Sequence, residues 1–397
     1  MNFEEMKRRL DGLAVFRELL KDGAVAAFRE LLQDCCRNDA DNFVSHCGEF
    51  ESLLFQQSDC WTAYLRRAVM ESENVCIRNW ASGAVTAVQE ECLNRELAFL
   101  DRLSQVTLDD LTAGLDHAPD FLVGWRTEGG SIAQDYRQRM QEVGEKGYGI
   151  FARYHMFTVE NGQLMPVKHP DPQQLEQLPG YEQERQKVIA NTQALLDGKP
   201  ANNVLLYGDA GTGKSSAIKA IANNFAEQGL RLVEVKKNQL YQIPDLMDAL
   251  AANPLKFILF IDDLSFTSND DNFAALKAIL EGSVGGRAQN IAVYATSNRR
   301  HLIKETMTDR SGDDIHESDT RQELMSLSAR FGLTVTFASP DRDRYLYIVG
   351  ELAKQYGVDL DEHTLAVRSE AFATRMGGRS ARVAKQFIEL CKSGVQV

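Results

Sequence analysis

Eight residues, Gly208-Asp-Ala-Gly-Thr-Gly-Lys-Ser215, constrain this chain more than any other stretch. They fit the pattern G-x-x-x-x-G-K-[ST]. They sit between an apolar run at 204–207 and a segment of helical periodicity at 215–225. A strand that turns through glycines into a helix can aim successive backbone N–H groups around an anion. The helix N-terminus adds a partial positive charge at the same point. In such a loop Gly208, Asp209, Ala210, Gly211, Thr212, Gly213, Lys214, Ser215 and Ser216 surround a phosphate chain. Lys214 reaches the β- and γ-phosphates, and the Ser215 hydroxyl serves Mg2+. A chance glycine turn would leave the order of strand, loop and helix unexplained.

The loop also limits the architecture around it. From residue 181 onward short apolar runs alternate with helical patterns, after a first helix at 181–196. Strands are expected at 203–207, 230–235, 257–261, 291–295 and 333–337. That alternation implies a parallel sheet covered by helices on both faces. After Pro340 only helical patterns remain, at 341–356, 361–373 and 379–390, which reads as a small helical lid.

Four further segments carry chemistry. Phe257-Ile-Leu-Phe-Ile-Asp262-Asp263 is an apolar strand that delivers two carboxylates to its C-terminal end, where open α/β sheets bind ligands. Asp262 suits Mg2+ held through water, and Asp263 suits polarisation of an attacking water. Val293-Tyr-Ala-Thr296-Ser297-Asn298 ends a second strand in small polar groups. Asn298 is the first choice to orient water or sense a γ-phosphate, and Thr296 the second. Arg330, in Leu327-Ser-Ala-Arg-Phe-Gly332, is placed to reach a neighbouring subunit's phosphate. Its plainer alternative is a surface arginine at a helix C-terminus. Gly377-Gly-Arg379-Ser-Ala-Arg382-Val-Ala-Lys385 begins a helix with basic residues, against the dipole preference, and so calls for a nearby anion. Arg382 is the better candidate and Arg379 the runner-up.

Together these segments resemble the AAA+ superfamily: GDAGTGKS as Walker A, FILFIDD as Walker B, ATSNR as sensor 1, SARFG as the arginine-finger segment and GGRSARVAKQF as sensor 2. The core is also similar to that of replication initiators. The phrases PANNVLLYG, GTGKSSAIKA, FIDDLSF, LKAILEG, YATSNRRHLI and LSARFGL resemble a bacterial family of predicted ATPases, domain of unknown function 815. The resemblance implies the AAA+ fold, ATP and Mg2+, and supplies no substrate. It also implies that Tyr181, after Pro179-Gly180, belongs to the segment that packs on adenine. Two positions depart from the wider pattern. Asp263 stands where many relatives have Glu, and Ala329 stands where an acid usually precedes Arg-Phe-Gly.

The N-terminal part reads differently. Phe3, Met6, Leu10, Leu13, Phe16 and Leu20 mark one helical face, and similar stripes run through 25–32, 43–54, 61–70 and 85–103. The expected organisation is an all-helical domain at 1–115 and a connector at 116–178. An α/β ATPase core at 179–338 and a lid at 339–397 follow. Within the connector, extended runs at 151–159 and 163–167 flank Asn161-Gly162, a hairpin signal. Pro166, Pro170, Pro172 and Pro179 then punctuate a linker.

Net charge is −13. Residues 1–150 carry 16 Lys+Arg against 26 Asp+Glu, so the acidity is concentrated there. A field of that sign opposes unspecific adhesion to nucleic acid or anionic membrane. No long apolar run or secretory signal is present, so a cytoplasmic protein is expected. The seven cysteines lack metal-ligand spacing and read as reduced, buried thiols.

The expected function is an AAA+ ATPase that hydrolyses ATP with Mg2+ as a homo-oligomeric ring or open ring. It would remodel or load a protein or nucleoprotein partner gripped by the helical domain. The alternative is a slow ATP-dependent switch or scaffold. A kinase would not explain the later segments, and no Asn-Lys-x-Asp guanine reader supports a GTPase.

Overall fold

The computed structural model describes residues 2–113, 115–117, 121–264, 275–277, 279–280, 288–298 and 330–395. The chain divides into two units, Met1–Arg153 and Tyr154–Val397. The stretch expected as a connector is therefore shared between them.

Helices and helical turns are the only regular elements of the first unit among its described residues. Its long helices are Gly23–Arg37, Ala40–Phe55, Trp61–Glu71 and Ala87–Leu103. The core is aromatic at its centre. Phe28 stacks on Trp61 with centroids 4.9 Å apart, and Phe50 and Trp125 meet it edge-on. The stripe from Phe3 to Leu20 is not one helix. The first helix ends at Asp11, where the Gly12 N–H bonds back to Arg8 and Leu10 carbonyls. A separate 3-10 turn then spans Arg17–Lys21. The apolar spacing persists because both pieces face the same core, although the backbone between them turns. All seven cysteines are free thiols.

The second unit is built on seven strands among the described residues. They are β1 (Met156–Glu160), β2 (Gln163–Pro166), β3 (Val204–Gly208), β4 (Leu230–Glu234), β5 (Lys256–Ile261), β6 (Ile291–Ser297) and β7 (Leu333–Phe337). Their order across the sheet is β2-β1-β4-β5-β6-β3-β7. Only the β1–β2 pair is antiparallel. That pair closes through Asn161 and Gly162, both at positive φ, as an Asn-Gly hairpin requires. The strand expected from 151 begins at Met156 instead, because Ile150–Arg153 forms a helical turn after Gly149. β5 and β6 are almost wholly buried, which explains their unbroken apolar sequence. Helices Arg342–Tyr356, Glu362–Arg375 and Ala381–Lys392 form the lid, and share one hydrophobic core with the sheet.

Candidate functional site

The strand order decides which side chains meet. β6 lies between β3 and β5, so the Gly208–Ser215 loop at the end of β3 and the acids at the end of β5 flank the polar end of β6. Residues 210–215 of the loop, Asp262, Asp263, Thr296 and Asn298 line one cavity of about 530 Å3, together with lid residues and part of the proline-rich segment.

The loop enters the helix Lys214–Asn224 through Gly213, at φ 93. No side chain caps this N-terminus, and no acid sits in its first turn. The first N–H groups of a helix have no intrahelical partner, and here Gly213, Lys214, Ser215 and Ser216 line the cavity. The arrangement suits an anion.

Lys214 is buried, and its Nζ donates to the Gly208 carbonyl at 2.9 Å, the Asp209 carbonyl at 2.7 Å and Asn298 Oδ1 at 3.0 Å. Burial lowers its pKa from the ordinary lysine value. Asn298 Nδ2 in turn donates to Asp263 Oδ1 at 2.7 Å. One amide therefore ties the loop cation to the second acid of β5.

Asp262 Oδ1 accepts from Ser215 Oγ at 2.6 Å and from Thr296 Oγ1 at 2.5 Å. Asp263 has φ 50, a left-handed conformation that Asp tolerates better than most residues. It is held there by its N–H, which donates to Thr296 Oγ1 at 2.9 Å. Thr296 thus fixes the geometry of both acids. A hydroxyl facing a carboxylate beside an anion-binding helix end is a donor set that fits Mg2+. Among the described residues no group of three or more His, Cys, Asp or Glu could hold a metal.

The lid completes the wall. The Arg382 N–H donates to the Gly211 carbonyl at 3.0 Å, and Arg382 and Lys385 line the cavity. Arg379 is turned elsewhere, into a two-point pair with Glu370 at 2.8 and 2.6 Å that holds the Glu370 carboxyl below its ordinary pKa. Of the two arginines, Arg382 is the one at the cavity. Among the described residues, Arg185, Lys214, Arg382 and Lys385 set four cations against the two acids of the lining, a balance that favours a polyanion.

Other expected residues fall off the lining. Gly208 and Asp209 lie behind it, and the Asp209 carboxylate accepts from the Ser339 N–H at 2.6 Å. That bond lowers the Asp209 pKa. Arg330 precedes β7 and does not line the cavity. Tyr181 lines it, but its ring is engaged. Phe337 stacks on it at 5.2 Å, the Arg344 guanidinium lies 4.9 Å from its centroid, and its hydroxyl donates to the Ala338 carbonyl. Burial pushes that phenol up to about 12. Residues 299–329, including Arg299, Arg300 and Ala329, lie outside the described residues.

Sequence reasoning missed Gln173, Gln177, Leu178, Ile348 and Leu352, which also line the cavity. The first three sit in the stretch read as a linker. A signal was present only in the prolines themselves, which can brace a wall as well as interrupt a helix.

A phosphate loop on an inner strand, acids two strands away, a polar strand end between them and a helical lid define a P-loop NTPase core of the AAA+ type. The family described as "Protein of unknown function (DUF815)" matches residues 151–395, and the chain belongs to it. No curated protein matches the chain. Among solved structures it is similar to a single-site variant of Thermotoga maritima RuvB, with TM-score 0.38 and 18% identity over 56% of this chain and 66% of that one. A second single-site mutant of the same protein gives 0.36 and 16%, over 54% and 63%. Both matches span less than two thirds of those chains. The AAA domain of FIGL-1 in complex with ADP gives 0.39 and 18%, over 55% and 72%.

Proposed function

We propose that this chain binds ATP with Mg2+ and hydrolyses it. The observation that carries the reading is the meeting, in one cavity, of an uncapped loop–helix N-terminus, Lys214, Ser215, the Asp262–Asp263 pair, Asn298 and Arg382. Ser215 and Asp262 are the residues that would hold Mg2+, which would neutralise phosphate charge and fix its geometry.

In this reading the phosphate oxygens take over the contacts that Lys214 makes with the loop carbonyls. Lys214 then shifts its charge onto the β- and γ-phosphates. Asp263 polarises the attacking water, and the Asn298 amide orients it. The water oxygen bonds to the γ-phosphorus as the bond to the β–γ bridging oxygen breaks. Arg382 follows the γ-phosphate from the lid. The apolar wall of Leu178, Ile348 and Leu352 suits a base, with Tyr181 at its edge rather than as a stacking plate.

Arg330 acts on a neighbouring copy, in a ring or open ring, because it lies outside its own cavity. The helical unit is the part left to hold a protein or nucleoprotein partner. Asp263→Asn should retain ATP and lower turnover about 100-fold or more. Arg330→Ala should lose hydrolysis while keeping ATP, and a monomer with full turnover would sink the oligomer. Full turnover in Asp263→Asn would remove the assigned chemistry.

One observation favours a slower machine. Asp263 is a methylene shorter than Glu, and Asn298 already engages its carboxylate. A steady-state rate well above about 1 s−1 excludes a pure switch.

A further inference from the structure

Residues 337, 338 and 339 join the last strand to the lid, and each has one backbone group held by a residue of the nucleotide motifs. The Phe337 carbonyl accepts from the Asp209 N–H at 3.1 Å. The Ala338 carbonyl accepts from the Tyr181 hydroxyl at 2.7 Å. The Ser339 N–H donates to the Asp209 carboxylate at 2.6 Å. Buried Pro340 and the helix cap Asp341 follow at once, so little slack separates this clamp from the first lid helix. The far end of the lid is tied to the same loop, through the Arg382 N–H on the Gly211 carbonyl.

Asp209 stands out in this set. It is an exposed residue of the phosphate loop that does not line the cavity. Its neighbour Gly208 lies against Phe337 too closely for a side chain, at φ 137, so the loop and the strand end move as one piece. The Asp209 carbonyl also accepts from Lys214, the residue that a phosphate would draw away. A shift at Lys214 is therefore felt by the residue that grips Ser339.

We propose that Asp209 is a positioning residue: through its bonds to Phe337 and Ser339 it transmits phosphate occupancy of the loop to the pose of the helical lid. The inference rests on the nucleotide reading. A carboxylate bonded to a backbone N–H is among the stronger hydrogen bonds, so its loss should be measurable.

The test uses the full chain and two variants, Asp209→Ala and Asp209→Asn. ATP binding, steady-state hydrolysis and hydrogen exchange of the Ser339 amide are read together. In the wild type, exchange at Ser339 slows further when Mg-ATP is added. Asp209→Ala accelerates that exchange without nucleotide. It also raises KM for ATP about tenfold, with the loss falling on KM rather than kcat. Asp209→Asn keeps an oxygen acceptor and lies between the two. Wild-type binding with Ser339 exchange and KM unchanged in Asp209→Ala overturns this inference alone. A wild type that binds no nucleotide overturns the proposed function and the inference with it. A loss confined to kcat would make Asp209 part of the chemistry and equally refute the positioning role.

Discussion

The two units treat their polar groups in opposite ways. In the helical unit, several buried polar side chains close on fixed partners. Glu96 is buried and accepts from the N–H groups of Ala14, Val15 and Phe16 at 2.7, 3.2 and 2.9 Å. Asn74 caps the helix Val75–Trp80 through its oxygen and donates its amide to Tyr136. Trp61 and Thr62 give their protons to the Leu103 and Ser104 carbonyls. In the sheet unit Asn203 and Asn290 close in the same way, but the groups around Lys214 face a cavity, and several of their partners are ones that a ligand could replace. Lys214 rests on loop carbonyls, and the loop helix begins with no cap. Closed polar groups fix a fold, whereas open ones are held ready for something else.

The sharpest way to break this contrast is Lys214→Ala. If the lysine serves a ligand, its removal should weaken ATP binding by about 100-fold or more. Thermal unfolding of the apo protein should change little, because the loop carbonyls keep access to water. Nucleotide titration and calorimetry on the same samples decide it. A large loss of stability with binding intact would place Lys214 among the closed groups.

Glu96→Ala tests the other side. It strips three backbone N–H groups of their acceptor in a site where Glu96 is only 8% exposed. The expected cost is about 3 kcal/mol of stability, seen as a lower unfolding midpoint of the helical unit. ATP affinity of the same variant is the control. A silent substitution would mean that water reaches the 14–16 loop and that the site is not closed.

The contrast also explains what the sequence disclosed. Each motif of the cavity is local: an apolar strand ending in Asp262-Asp263, another ending in Thr296 to Asn298, a glycine loop entering a helix. Strand and motif are read in one window, and the five strands expected after residue 181 appear within two residues of their expected ends. What pairs across the sheet was not legible. The Lys214–Asn298 bond spans 84 residues, and the Asp209–Ser339 bond spans 130. Nothing in local periodicity encodes the order that brings β6 between β3 and β5. Arg379 and Arg382 shared one basic stretch, and only Glu370, on the preceding lid helix, separates their roles. The helical unit was legible as stripes and silent about chemistry: buried polar groups such as Glu96, Asn74 and Thr62 are spent on partners within it.

The smallest expected effect concerns a pair at the edge of that rule. His46 Nδ1 lies 2.6 Å from Asp34 Oδ2, with Asp34 buried and His46 about one third exposed. The bond to Asp34 raises the His46 pKa above its ordinary 6.5. A group whose folded pKa is raised contributes its stability fully below the unfolded value and loses it as pH rises through the folded value. The helical unit should therefore lose a small increment of stability as pH climbs from about 6.5 into the range above it. The partly exposed imidazole keeps this below about 1 kcal/mol. His46→Gln, which can still offer an amide N–H to Asp34, should flatten the slope without a large change at high pH. Unfolding midpoints measured at several pH values for both chains check it. A slope of the same size in His46→Gln would assign it to another group and leave the His46–Asp34 pair among the closed contacts that pH does not open.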